Sequence, residues 1–343
     1  MPTTNIWICE KCDWGFLPPE GSAPPPRCPH CFEGTLAGAE GNAPTPELVI
    51  PFGVNETRLS SAVETFAGGI PFAPRDLQIG TLRQRIQKIY LPMYLVDAQV
   101  QAEWHAECGF NYNVVSHQEQ FSENRGGWQS RQVEETRIRW EPRVGQLQRT
   151  YHNIPAPALE NHNHLLQTLG NYDLRAARPF TSEDLQTTLL RLPNRTTADA
   201  WHNAEQAFTA AAGEECRQAA AADHIRQFRW QPQFTQQNWS LLLMPLYSTF
   251  YLDDENRPQP VLIHGVSGKI SGSRRASMAR AQSTALTLVI VAAAVFMLGL
   301  LVSAAGIIFP PALLLGGLML ILAVALALGA VYPIFAVWNF NRK

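Results

Sequence analysis

From Ala281 to Asn341 the chain carries no Asp, Glu, Lys or Arg, an uncharged run of 61 residues. Within it lie two apolar blocks, Ala285–Phe309 and Ala312–Trp338, of 25 and 27 residues, parted by Pro310-Pro311. A helix rising about 1.5 Å per residue crosses a ~30 Å hydrocarbon core in roughly 20 residues. Each block is therefore long enough to span. A buried helix of a globular core is the competing reading, but such helices seldom stay uncharged over this length. The run predicts a two-helix transmembrane hairpin over 285–338, turned at 309–311, where adjacent prolines cannot continue a helix.

Small residues recur along both blocks: Gly299, Ser303 and Gly306 on the first, Gly316, Gly317, Ala323, Ala325, Ala327 and Gly329 on the second. In lipid such residues let two backbones approach closely. Lys269, Arg274, Arg275 and Arg280 precede the hairpin and Arg342 and Lys343 follow it, while the turn is uncharged. The positive-inside rule then places both ends in the cytoplasm. Tyr332, Phe335, Trp338 and Phe340 are the expected interfacial anchors. No charge falls mid-membrane, which argues against an ion path or proton relay. Met1–Glu10 has neither the basic start nor the apolar stretch of a signal peptide. The expectation is an anchor with two spans and cytoplasmic N- and C-termini.

The six cysteines of a chain in a reducing compartment point to metal ligation or plain burial rather than disulfides. Four of them, Cys9, Cys12, Cys28 and Cys31, form C-x2-C-x15-C-x2-C. Two residues between cysteines let both thiolates of a turn meet one ion, and two such turns complete a tetrahedral site. The reading is a structural zinc ribbon over 1–37, with Zn2+ as the ion and iron, as in paired rubredoxin-type knuckles, as the alternative. His30, inside the second knuckle, is read as a non-ligand. Residues 1–45 hold two cations, Lys11 and Arg27, against Glu10, Asp13, Glu20, Glu33 and Glu40. A phosphate-binding surface needs clustered Lys and Arg, so this ribbon favours a protein-binding or structural role over nucleic acid. The Gly-, Ala- and Pro-rich stretch 38–47 reads as a linker that leaves the ribbon mobile.

The remaining body, 48–272, reads as β-rich and antiparallel with a helical insertion at about 156–230. Asn55 caps a helix carrying Leu59, Ala62, Val63 and Phe66 and closed by Gly68-Gly69. Ile89–Val96, Val100–Trp104 and Tyr112–Val115 read as strands; Gly126-Gly127 reads as a turn before an alternating strand through Thr136, Ile138 and Trp140. Pro157–Leu169, Thr181–Leu190 and Thr197–Phe228 read as helices, the last striped by Trp201, Ala204, Phe208, Ala211, Ala219, Ala222 and Ile225 for packing on the chain's own sheet, with a coiled-coil contact to another protein as the alternative its length leaves open. Ser240–Tyr251 and Val261–Ile270 return to β, with a turn at Asp253–Gln259 and a hairpin at Gly265/Gly268. Leu91-Pro92-Met93-Tyr94 and Met244-Pro245-Leu246-Tyr247 share a pattern, as if two strands played equivalent roles. The fold class expected is thus an α+β cytosolic part, ribbon plus antiparallel body with inserted helices, followed by a transmembrane hairpin.

Other chemistry is thin. Gly268-Lys269 lacks the G-x-x-x-x-G-K-[ST] spacing of a phosphate loop, and Ile270 stands where a hydroxyl is required. His152, His162 and His164 are close in sequence but spaced poorly for one ion. Cys108 and Cys216 read as buried small residues. Asp97, beside an apolar strand, reads as a buried acid with a structural partner, and with the histidines it is the only candidate for catalysis. No catalytic residues are assigned and the chain is read as a non-enzyme.

Pro51-Phe52 with its helix, Phe72-Ala73-Pro74, Tyr90–Ala98 and His264–Gly272, in that order, resemble a family of bacterial membrane proteins with an N-terminal zinc ribbon and a C-terminal hydrophobic hairpin, often loosely labelled after the zinc region of a primosomal helicase. The last motif in that family reads Asn-Gly-x-Thr-Gly-Lys; His264 and Ser267 depart from it here. The resemblance implies a scaffold in the bacterial cytoplasmic (inner) membrane that recruits a phage-shock-A-like (ESCRT-III-related) or SPFH-type protein to the lipid bilayer in an envelope-stress module. The alternative function is a membrane-tethered nucleic-acid-binding ribbon protein.

Overall fold

The computed structural model describes residues 4–19, 21–122, 127–306 and 308–342. The chain is a mixed α/β protein with a large sheet and two apolar C-terminal helices, and it divides into two compact units. Residues 1–91, 163–192 and 243–343 form the first; 92–162 and 193–242 form the second.

In the first unit, β1 (Thr4–Cys9), β2 (Gly15–Leu17) and β3 (Leu36–Gly41) make a small antiparallel sheet. The stretch read as a linker from residue 38 is therefore strand as far as Gly41, each residue from Leu36 onward facing one of β1. Nor does the small sheet float. β2 pairs with β8 (Leu189–Arg191), Phe16 opposite Arg191 and Leu17 opposite Leu190, and β8 pairs with the start of β5 (Gln87–Ser122). The Ser248 hydroxyl donates to the Pro29 carbonyl at 2.7 Å in a buried setting. The expectation of an independent, mobile ribbon is corrected on these contacts.

β4 (Leu48–Val49) pairs with β7 (Arg178–Pro179). α1 (Glu56–Gly68) starts at Asn55, whose side chain accepts from the Arg58 N–H at 2.8 Å, and buries Val63 and Phe66. α2 (Ile79–Arg85) follows, and then β5. β9 (His224–Leu252), β10 (Pro258–His264) and β11 (Ile270–Gly272) form an antiparallel run on the far side of β5, in the order β11-β10-β9-β5-β8-β2-β1-β3. Gly268, at φ +75°, makes the β10–β11 turn. The β5–β8 pair is parallel, so the sheet is mixed rather than wholly antiparallel. β8 falls where a helix over Thr181–Leu190 was expected. Thr181 and Asp184 do form a capping box, but only for one 3-10 turn, Ser182–Leu185. Thr187-Thr188 then favours extended backbone, and Leu189 and Leu190 are buried in the sheet.

The second unit is built on a long antiparallel ribbon, the outer part of β5 paired with β6 (Gly127–Pro157) from Met93↔Pro157 to Ser122↔Gly127. The three short strands expected between Ile89 and Val115 are one strand, with one irregularity between Val96 and Ala98. Gly126, half of the expected turn, lies outside the described residues. α3 (His162–Leu169) occupies the end of the expected 157–169 helix, in the first unit from Asn163 onward. α4 (Thr197–Ala219) begins at a Thr196–Asp199 capping box and buries Ala200, Ala204, Phe208 and Ala212 against Val96, Ala98, Val100, Tyr151 and Ile154. It ends nine residues earlier than expected. Ala221 adopts φ +51°, and from His224 the apolar residues Phe228, Trp230 and Phe234 recur with period 2 in β9. β5 and β9, the two strands bearing the echoed Pro-containing motif, are both shared by the two units.

The C-terminal helices are α5 (Met278–Ala305), α6 (Pro311–Gly329) and α7 (Val331–Asn341). Met278–Ala305 and Pro311–Asn341 are each long and apolar enough to cross a membrane. The α6–α7 break at Ala330 lies just before Pro333, whose ring and missing N–H disrupt the preceding turn. Gly316 meets Ser303 and Gly299: a Cβ there would lie 2.8 Å from the Ser303 nitrogen and 2.9 Å from the Gly299 carbonyl. At its base the hairpin joins the body. Ala276, Ala281 and Val337 belong to one buried cluster with Phe66, Leu82, Tyr247, Tyr251 and Ile263. Asn341 donates to the Ala276 carbonyl at 3.0 Å and accepts from its N–H at 2.8 Å, and Asp254 accepts from the Ser277 hydroxyl and the Ala279 N–H. Phe340 packs on this cluster, partly buried.

Candidate metal centre

Cys9, Cys12, Cys28 and Cys31 are the one group of three or more metal-ligating side chains brought together among the described residues. Their sulfurs lie within 4.8 Å of one another, with Cys9 Sγ 3.7 Å from Cys31 Sγ and Cys12 Sγ 3.8 Å from Cys28 Sγ. An ion about 2.3 Å from four tetrahedral sulfurs requires S···S separations of about 3.8 Å. The residues fit such an ion.

The two knuckles are built alike, which is why two C-x-x-C motifs suffice. In the first, the Asp13 N–H donates to the Cys9 carbonyl at 3.0 Å; in the second, the Phe32 N–H donates to the Cys28 carbonyl at 2.9 Å. Asp13 and Phe32, each following the second cysteine of its pair, take φ of +57° and +59°. The turn then aims backbone N–H groups at sulfur: Lys11 to Cys9 Sγ and His30 to Cys28 Sγ, both 3.4 Å, and Gly34 to Cys31 Sγ at 3.3 Å. Gly34 is required sterically, because a Cβ there would stand 2.5 Å from Cys9 Sγ.

Cys9 and Cys28 are fully buried and Cys12 and Cys31 half-buried. Burial pushes the Cys12 thiol up to about 11 and Cys28 higher still, while at Cys31 burial is outweighed by the Gly34 N–H and the neighbouring sulfurs, which lower it. The buried Cys12 and Cys28 thiols resist ionisation without a cation, and a metal ion would supply that charge.

The sequence did not reveal what lies against the cluster. Trp14 stacks on His30, and the guanidinium of Arg191 covers the same indole ring. Burial and the Arg191 charge hold His30 neutral, its proton affinity lowered to about 3. Beside the second knuckle is a cavity of about 280 Å³ lined by Arg27, Phe32, Arg85, Gln87, Phe250 and Leu252, with the Arg27 and Arg85 guanidinium groups 5.3 and 4.8 Å from the Phe250 ring.

The other candidates do not converge. His152 Nδ1 lies 3.2 Å from Asp97 Oδ2, and the Asn153 N–H donates to Asp97 Oδ1 at 2.8 Å, so Asp97 ties down the β5–β6 irregularity in a largely exposed setting. His162 is buried and His164 exposed, and neither joins a metal-ligating group. Cys108 and Cys216 are both buried. His264, in the last motif, stacks on Tyr172, and its Nδ1 accepts the N–H groups of Val266 and Ser267 at 3.1 Å, which fixes the turn. No family model, curated protein or solved structure matches this chain.

Proposed function

We propose that the chain is a membrane-anchored scaffold of the bacterial cytoplasmic membrane: a structural zinc ribbon and a cytosolic body held on a two-span hairpin, recruiting a protein partner to the bilayer. The observation that carries this reading is the shared core at the hairpin base. Ala276, Ala281 and Val337 are buried with Phe66, Tyr247 and Tyr251, while Leu286, Ile290, Leu301, Leu314, Leu318, Ile321 and Leu328 are exposed along the helices. Apolar surface of that extent suits lipid rather than water. A body locked to such helices is carried at a fixed stance on the membrane.

Zinc suits the four-sulfur set, and with four protein ligands the ion has no open position for substrate, so its role is to hold the ribbon. The resemblance to the ribbon-and-hairpin family favours a phage-shock-A-like or SPFH-type partner. The cavity beside the docked ribbon offers a surface for an apolar partner segment, with Arg27 as the cation for an acidic residue on it, since Arg85 is already paired with Asp76.

The test is extraction of the tagged full-length protein from native membrane in mild detergent, beside Arg27→Glu. A membrane-remodelling or SPFH-type protein that accompanies the parent and is lost from the variant supports the reading. A parent that brings down nucleic acid in a steeply salt-dependent way, or a soluble parent, overturns it.

A further inference from the structure

β6 is an edge strand of unusual length. Among the described residues its only strand partner is β5, and it runs from Gly127 to Pro157, against a usual strand length of roughly 5–6 residues. No described residue of Asn111–Phe121 or Gly127–Trp140 is buried, and the ribbon meets another element of the chain at its base, where the Asn111 N–H donates to Asp223 and Trp140 lies against His224 and Arg226. Two-stranded ribbons are marginal alone in water, and long free edges attract further strands.

The outer β6 sequence shows which strand it suits. Arg131, Val133, Glu135, Arg137, Arg139 and Glu141 share one face by strand periodicity. Ion pairs along the strand, Arg137–Glu135 at 3.2 Å and Arg139–Glu141 at 2.9 Å, agree with that placement. Arg131 has no ion-pair partner among the described residues. Two identical strands joined edge to edge and antiparallel are related by a twofold axis normal to the sheet, so opposed residues share a face.

With the axis at Thr136, Glu135 faces Arg137 of the second copy, Arg131 faces Glu141, and Val133 faces Arg139. Each pairing occurs twice, and no like charges meet. An axis at Glu135 opposes Arg131 to Arg139, and one at Arg137 opposes Arg131 to Arg143. An axis at Glu134 opposes Arg131 to Arg137, and one at Ile138 opposes Glu135 to Glu141. Opposite charges across strands stabilise a ladder and like charges disfavour it. On the other face Gln132 meets Trp140 and Thr136 meets its own copy.

We propose that the outer β6 edge is a homodimerisation surface: two copies pair antiparallel about Thr136, joining their ribbons into one four-stranded sheet. The interface is isologous, as a closed dimer requires. It would give a membrane scaffold two cytosolic bodies per assembly.

The test is disulfide trapping of the full-length chain in detergent. Opposed Cα atoms in an antiparallel pair are about 4.5–5.5 Å apart, inside the window of a disulfide. Thr136→Cys should give a covalent dimer under mild oxidation. Gln132→Cys, whose two copies would be eight residues apart along the ladder, or roughly 27 Å, should give at least tenfold less. Adding Glu135→Arg to Thr136→Cys should cut the yield about tenfold, and adding Arg137→Glu as well should restore it. No dimer above the parent chain, equal yields at 132 and 136, a cross-link to a different protein, or failure of the charge swap to restore trapping would each overturn the proposal.

Discussion

His162 is 6 % exposed, and burial, with the Arg195 charge adding to it, lowers its proton affinity to about 4. The folded chain therefore keeps it neutral where the unfolded chain, near 6.5, takes up a proton. Its contribution is present in full above pH 6.5 and is lost as pH falls toward 4. One pH unit of differential protonation is worth about 1.4 kcal/mol, so the loss by pH 5 is about 2 kcal/mol. Urea midpoints at pH 7 and pH 5 should diverge more for the parent than for His162→Phe; parallel shifts would remove the histidine from the account. At this scale the clustering of the four cysteines was legible because C-x-x-C encodes its geometry locally. The partners of Trp14 were not: Arg191 arrives on β8 from a distant part of the sequence, and nothing local to either residue announces the stack.

Among the elements, the hairpin was the most legible, since length and lack of charge are sufficient to identify a helix that lipid can accept. Its small residues are not equivalent. Gly316 lies against Ser303 and Gly299, whereas a Cβ added at Gly317 would meet nothing within 4 Å. Gly316→Ile should force the helices apart at a cost of about 1–3 kcal/mol, lowering the thermal midpoint in detergent, while Gly317→Ile should leave it unchanged. Equal responses would mean that the helices do not meet at Gly316. β8 and the start of β9 were misread because short apolar stretches carry too few residues to separate period 2 from period 3.6. The β5 strand was cut into three for the opposite reason. The polar positions between the expected strands resembled turns, although Gln99, His105, Glu107 and Asn111 sit on the ribbon within an unbroken register.

For the whole molecule, the contiguity of the first unit is what sequence could not supply. Ribbon, sheet and hairpin base are linked by β2–β8 pairing, by Ser248 on Pro29 and by the cluster that holds Val337. None of these partners is near in sequence. The docking changes what metal removal should do. A chelator that strips the ion should unfold the ribbon and, by freeing β8 of its outer neighbour, also lower the melting midpoint of the body. A body that melts unchanged would restore the independent ribbon that composition suggested. The account as a whole stands on the hairpin crossing the bilayer with the body on the cytoplasmic side. Ile308, 91 % exposed at the hairpin turn, and Ser267, exposed at the β10–β11 turn, report the two sides. Intact cells carrying Ile308→Cys or Ser267→Cys would be treated with a membrane-impermeant maleimide. The account predicts labelling of Ile308→Cys in intact cells and of Ser267→Cys only after the membrane is opened. Labelling of Ser267→Cys from outside, or protection of Ile308→Cys until the membrane is opened, would contradict it.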